Sequence, residues 1–154
     1  GMNSENTILD AEGTSSVIRL IDSENITIRD LTIKGGFATK GSGIYSHDSN
    51  SSILNVIIKE NILDESLGRW SSQGGGIYIK QNVMNLDSVY IVKNNLTYGP
   101  NSFSSGQGGG IFIERDATVY IKNSSIVIMQ LFLVAHFFLS IIPRMTHIII
   151  FHLA

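Results

Sequence analysis

The stretch "QGGGIYI" at 73–79 returns as "QGGGIFI" at 107–113, and an eroded copy, "GSGIYS", stands at 41–46. A segment rewritten at a near-constant step restricts a fold more than any average composition does, because each copy is then one unit of a stack. A second set repeats with it: "ITIRDLTIKGG" (26–36), "SSILNVIIKEN" (51–61), "MNLDSVYIVKN" (84–94) and "VYIKNSSIVIM" (119–129) align without gaps. Ile28, Ile53, Leu86 and Ile121 form one column, Leu31, Val56, Val89 and Ser124 a second, and Ile33, Ile58, Ile91 and Ile126 a third. The third column steps by 25, 33 and 35 residues, and the glycine runs step by 33 and 34.

Within a copy, apolar and polar residues alternate, as in I-T-I and V-Y-I, which predicts half-buried strands. The segments are rich in β-branched residues and too short and glycine-punctuated for helices. Strands recurring at a fixed step, with no helix between, predict coils stacked in register, each strand pairing with its copy one turn on, about 4.8 Å away. One coil cannot bury its inward face; stacked neighbours bury it together. The expected fold is all-β, a parallel β-helix (solenoid) of about four coils over residues 1–127.

The glycines Gly43, Gly75, Gly76, Gly109 and Gly110 are expected to mark a corner, through unusual φ or close approach to the next turn. Ile44, Ile77 and Ile111 then point inward as a ladder. Tyr45, Tyr78 and Phe112 point outward, one above another, either as simple rung-to-rung stacking or as a platform for sugar rings. Asn61 and Asn94 close their copies as structural turn residues, able to turn the chain through αL and to bond a neighbouring coil's backbone through the amide. Gly36 holds that place in the first copy.

The glycine run paired with I-x-x-N (Gly75-Gly76-Ile77 and Gly109-Gly110-Ile111; Ile58-x-x-Asn61 and Ile91-x-x-Asn94) resembles a known family. It looks like the right-handed β-helix passenger repeats of polymorphic outer-membrane and adhesin-like surface proteins. Glycine stands where that family has alanine, and isoleucine where it has phenylalanine, so the likeness is to the broad β-helix surface class. The opening stretch 7–36 resembles the entry turns of such domains and of the wider pectate-lyase-like superfamily. The resemblance implies a right-handed coil and an extracellular or cell-surface location.

That superfamily includes enzymes acting on acidic polysaccharides, so carboxylates need inspection. Hydrolysis wants two of them about 5–9.5 Å apart; a lyase wants clustered Asp ligands for Ca²⁺ and an Arg or Lys base. Only Asp30 and Asp87 come near one column, two coils apart and one register off. His47 and Asp48 adjoin in a polar loop, but adjacent strand residues point to opposite faces. There is no phosphate loop, metal-ligand spacing or nucleophile elbow. The expectation is no catalytic residue, no metal and no cofactor in these coils, with an enzyme reading surviving only if the catalytic coils lie elsewhere.

The loops "ILDESLGRWSSQ" (62–73) and "LTYGPNSFSSGQ" (96–107) follow the asparagine corner in successive coils and lead into the glycine run. They carry Arg69, Trp70, Tyr98 and Phe103, which suit contact with glycans or surface proteins or, alternatively, fold back over the coil wall. A purely structural spacer is the third reading. A net charge of −2 predicts no grip on nucleic acid. Without cysteine there is no disulfide framework or thiolate metal site. Asn25, Asn50, Asn95 and Asn123 each begin an N-x-S/T sequon.

All 15 glycines and all 13 acidic residues precede position 128. The tail 128–154 is therefore read apart from 1–127. Its apolar run 126–142 admits a membrane anchor, a capping helix, or out-of-frame translation. Membrane contact is expected only if that run is genuine. The first residues read as mid-domain sequence, so the chain is taken as a fragment.

Overall fold

The computed structural model describes residues 1–64, 72–97, 108–114 and 116–127, and the backbone of 148–150. Its strands are β1 (Ile8–Asp10), β2 (Ile18–Ile21), β3 (Ile26–Lys34), β4 (Phe37–Ala38), β5 (Ile44–His47), β6 (Ser51–Lys59) and β7 (Ile62–Asp64). They continue as β8 (Ile77–Lys80), β9 (Val83–Val92), β10 (Asn95–Thr97), β11 (Ile111–Ile113), β12 (Thr118–Lys122), β13 (Ser125–Ile126) and β14 (Ile148–Ile150). No described residue is helical. The strands form three sheets: β1-β3-β6-β9-β12-β14 with β13 also on β9, then β2-β5-β8-β11, then β4-β7-β10. Every strand pairing is parallel. From β2 to β12 the chain visits the second, first and third sheets in unbroken rotation.

The register matches the sequence columns. Ile28, Ile53, Leu86 and Ile121 are successive partners, as are Ile33, Ile58, Ile91 and Ile126. In the second sheet Ile18, Ile44, Ile77 and Ile111 stack likewise. Like residues stack because each inward position sees the same surroundings one rung on. Ile33, Ile44, Ile53, Ile58 and Ile77 are fully buried. Each such burial contributes about 1.5–3 kcal/mol.

The long strands are not straight. Asp30, Asn55, Ser88 and Asn123 share one position, and their φ values are +57°, +52°, +58° and +49°. One left-handed residue in mid-strand shifts the alternation by one, which is why the inward residues are spaced three and then two apart (Ile53, Val56, Ile58). Strict alternation does not anticipate this. Asp and Asn tolerate αL because a short polar side chain can bond locally. The fourth member of the second column, Ser124, accepts a hydrogen bond from the Val89 N–H at 3.0 Å instead of filling the core.

At the asparagine corner the amides bond neighbouring backbone as expected, but the left-handed conformation falls elsewhere. The left-handed residues there are Gly35, Glu60 and Lys93 (φ +68°, +55° and +56°), one place before Asn61 and Asn94. The asparagines supply the bonds instead. Asn61 is fully buried. Its Oδ1 accepts the Gly36 N–H at 2.9 Å, and its Nδ2 donates to Asn94 Oδ1 at 2.9 Å and to the Ile33 carbonyl at 3.3 Å. Asn94 Nδ2 repeats the pattern on the Ile58 carbonyl at 2.9 Å. A ladder of buried amides thus ties three successive copies together.

At the glycine corner the positive φ falls on the first glycine of each run, for example Gly74 (φ +71°). In the middle run the second and third glycines serve close approach: a Cβ on Gly75 would lie 2.7 Å from the Gly109 carbonyl oxygen, and one on Gly76 would run into the Gly110 carbonyl, whereas Gly109 has ordinary room. Backbone bonds cross the corner unbroken, with Gly76 and Ile77 N–H donating to the Gly109 and Gly110 carbonyls. Most of the apolar run 126–142, and the side chains of the tail beyond it, lie outside the described residues. The backbone of 148–150 pairs in parallel with β12. Among the described residues no helix is long and apolar enough to cross a membrane.

Candidate functional site

The outward face of the second sheet carries the aromatic column. Tyr45 partners Tyr78, and Tyr78 partners Phe112, through the strand register. Their centroids are 5.2 and 5.9 Å apart and the rings tilt by only 10° and 4°. Strand spacing therefore sets ring spacing, and the rings meet face to face. Arg19 occupies the same column one rung earlier, with its guanidinium carbon 4.4 Å from the Tyr45 centroid. Extending the column back from Ile44-Tyr45 to Ile18-Arg19 would have found it in the sequence.

Tyr78 is only 1% exposed although its side chain leaves the core. Its faces are covered by neighbouring rings, and Lys40 Nζ lies 4.9 Å from its centroid and 3.5 Å from its hydroxyl. The hydroxyl donates to Glu114, whose other carboxylate oxygen is 3.5 Å from Lys80 Nζ. A sugar ring stacks on an open aromatic face. Tyr78 offers none, while Tyr45 and Phe112 are half-buried. The column thus stiffens the sheet and brings Arg19, Lys40, Lys80 and Glu114 to one surface.

Burial pushes the Tyr78 hydroxyl well above the usual tyrosine range, and the hydrogen bond to Glu114 pushes it further. For Glu114, partial burial works against the charge, but the Tyr78 hydrogen bond and the Lys80 and Lys40 ammoniums prevail and hold the carboxyl below its ordinary value. A tyrosine raised in the folded state contributes stability that is intact below its unfolded value, about 10, and is lost as pH rises through the higher folded value. Stability measured by urea unfolding should therefore fall above about pH 10 relative to Tyr78→Phe. Parallel curves for the two proteins through that range would contradict the assignment.

Asp10, Asp30 and Asp87 each hold partners of their own rather than one another. Asp10 is held below its usual range by the Glu12 N–H and by Lys34 at 3.1 Å. Asp30 is lowered by Asn55 and by Arg29 at 2.6 Å, and Asp87 chiefly by Asn123 at 3.0 Å. Asp30 and Asp87 lie on β3 and β9, with β6 between and one residue out of register. His47 and Asp48 do meet, at 3.5 Å. The expectation of opposite faces fails because Asp48 takes φ +48° and turns back toward its neighbour. Among the described residues no three His, Asp or Glu side chains gather as metal ligands.

Arg69, Trp70, Tyr98 and Phe103 lie outside the described residues. Their flanks are described. Asp64, at the start of the first loop, partners Thr97, at the start of the second. At the far ends, the Gly75 N–H donates to the Gly108 carbonyl at 3.1 Å. Both loops therefore leave and re-enter one rung apart. No protein-family model, curated protein or solved structure matches this chain, so the fold stands on its own register and the site on its own geometry.

Proposed function

We propose that residues 1–127 form about four coils of a right-handed parallel β-helix from a cell-surface or secreted protein, working in adhesion. The coils act as a rigid rod, and the loops 62–73 and 96–107 present Arg69, Trp70, Tyr98 and Phe103 to glycans or partner proteins. The observation that carries this reading is the stacking of both loop bases, Asp64 on Thr97 and Gly75 on Gly108. Two loops rooted one rung apart share a side and can form one contact surface. Rotation of the chain through three parallel sheets supports the coil.

The test is the double variant Trp70→Ala with Tyr98→Ala, assayed on a glycan array and on whole cells. Aromatic anchors dominate such contacts, at about 2 kcal/mol or more each, so losing both should weaken binding by about a thousandfold. Unchanged binding by a folded double variant would sink the loop site and leave a structural spacer. Release of unsaturated uronides from acidic polysaccharide by the wild-type chain would favour a lyase instead.

A further inference from the structure

We propose that Asn25 is a site of N-linked glycosylation; the proposal rests on the extracellular reading above. Of the four sequons, the structure separates the asparagines by what their amides already do. Asn123 Nδ2 donates to Asp87 at 3.0 Å, a bond that also helps hold that carboxylate ionised. A glycan on Asn123 would disturb it. Asn95 Oδ1 turns back to its own chain, accepting the Leu96 N–H at 2.9 Å. Asn50 Oδ1 accepts the Val83 N–H at 3.1 Å and so fastens one rung to the next. The Asn25 side chain makes no hydrogen bond among the described residues, and both it and Thr27 are exposed.

Position reinforces the choice. Asn25 stands at the corner between β2 and β3 with φ +59°, clear of the strand ladder. It lines an open groove of about 500 Å³ with Thr27, Asn50, Ser52, Val83 and Asn85. Asn50 sits one rung along, its carbonyl accepting the Ile26 N–H at 3.2 Å. Glycosylation replaces one Nδ2 hydrogen, so the Oδ1 bonds of Asn50 and Asn95 would survive it but hold those amides against the coil. Neither amide atom of the exposed Asn25 is tied down in this way.

The donor is an oligosaccharide joined through its anomeric carbon to a polyprenyl phosphate or diphosphate, and a transferase reads the N-x-T motif. Asn25 Nδ2 attacks that carbon. The new C–N bond forms as the C–O bond to phosphate breaks, the phosphate leaves with the electron pair, and the amide nitrogen gives up one proton to a base on the transferase.

The experiment is peptide mapping by mass spectrometry of the full chain recovered from its natural source, sorted by cell fraction. The expected result is a glycan on the peptide containing Asn25, converted to Asp on amidase release, and complete loss of that mass in Asn25→Gln. The variant should stay folded with at most a small drop in thermal midpoint, since no side-chain bond is lost but glutamine tolerates φ +59° less well than asparagine. An unmodified Asn25 in chain recovered at the cell surface overturns the glycan alone. An unmodified Asn25 in chain found only in the cytosol overturns the surface reading with it. Higher occupancy at Asn123 than at Asn25 overturns the site assignment.

Discussion

Asn61→Leu should cost roughly 3 kcal/mol of unfolding free energy, among the largest losses open to a single surface-remote change in this chain. Leucine has as many side-chain heavy atoms as asparagine and is bulkier, so a cavity is not the cause. The cost arises because the Gly36 N–H, which Asn61 Oδ1 accepts at 2.9 Å, is left buried without that partner. The bonds from Nδ2 to the Ile33 carbonyl and to Asn94 Oδ1 go with it. A buried donor or acceptor left unmade costs about 1–3 kcal/mol, whereas a made bond contributes only about 1. The control is Asn85→Leu, at an exposed position on the next long strand, where the change should stay within about 0.5 kcal/mol. Urea unfolding of the two variants gives the comparison. Equal midpoints would mean that the amide ladder does not hold the corner.

Gly36→Ala should be as damaging for a different reason. Gly36 does not need a left-handed backbone. A Cβ there would run into the Ser42 carbonyl oxygen and stand 3.0 Å from Asn61 Oδ1. Neither obstacle can rotate away: one is backbone and the other is fixed by the amide ladder. Overpacking against fixed atoms costs about 1–3 kcal/mol, and loss of the Asn61 bond adds to it. Gly13→Ala is the informative contrast. Gly13 has φ +73° but open space where the Cβ would go, so the cost there is the left-handed penalty of about 1–2 kcal/mol alone. If Gly13→Ala proved the more harmful in thermal unfolding, close approach at the corner would be the wrong explanation.

The columns were legible because stacked rungs impose one environment on each position, and β-branched residues answer it identically in every copy. The bend at Asp30, Asn55, Ser88 and Asn123 was written in the same alignment as a column of small polar residues. Period-two counting hides it, since one left-handed residue shows only as an irregular spacing. The corner at Glu60 and Lys93 was not legible: neither is a turn-forming type, and each is held in αL by the bonds that the following asparagine makes. The Tyr45–Tyr78–Phe112 column could be read, but not its covering. Lys40 reaches Tyr78 from the preceding turn, and Glu114 from the following rung, through contacts that no local pattern encodes. The bases of the two loops are placed by the register, and the identities of Arg69, Trp70, Tyr98 and Phe103 rest on the sequence.

In-register stacking of successive copies is the claim on which the rest depends, and engineered disulfides test it directly because the chain has no cysteine of its own. Ser52 and Asn85 are strand partners on β6 and β9, with side chains 3.5 Å apart. Neighbouring parallel strands place partner Cα atoms about 4.8 Å apart, within the range a disulfide spans. Ser52→Cys combined with Asn85→Cys should close on mild oxidation, seen as loss of two hydrogens and faster migration on a non-reducing gel. Ser52→Cys combined with Asp87→Cys, two residues out of register, should remain reduced under the same conditions. Closure of the second pair in preference to the first would contradict the account.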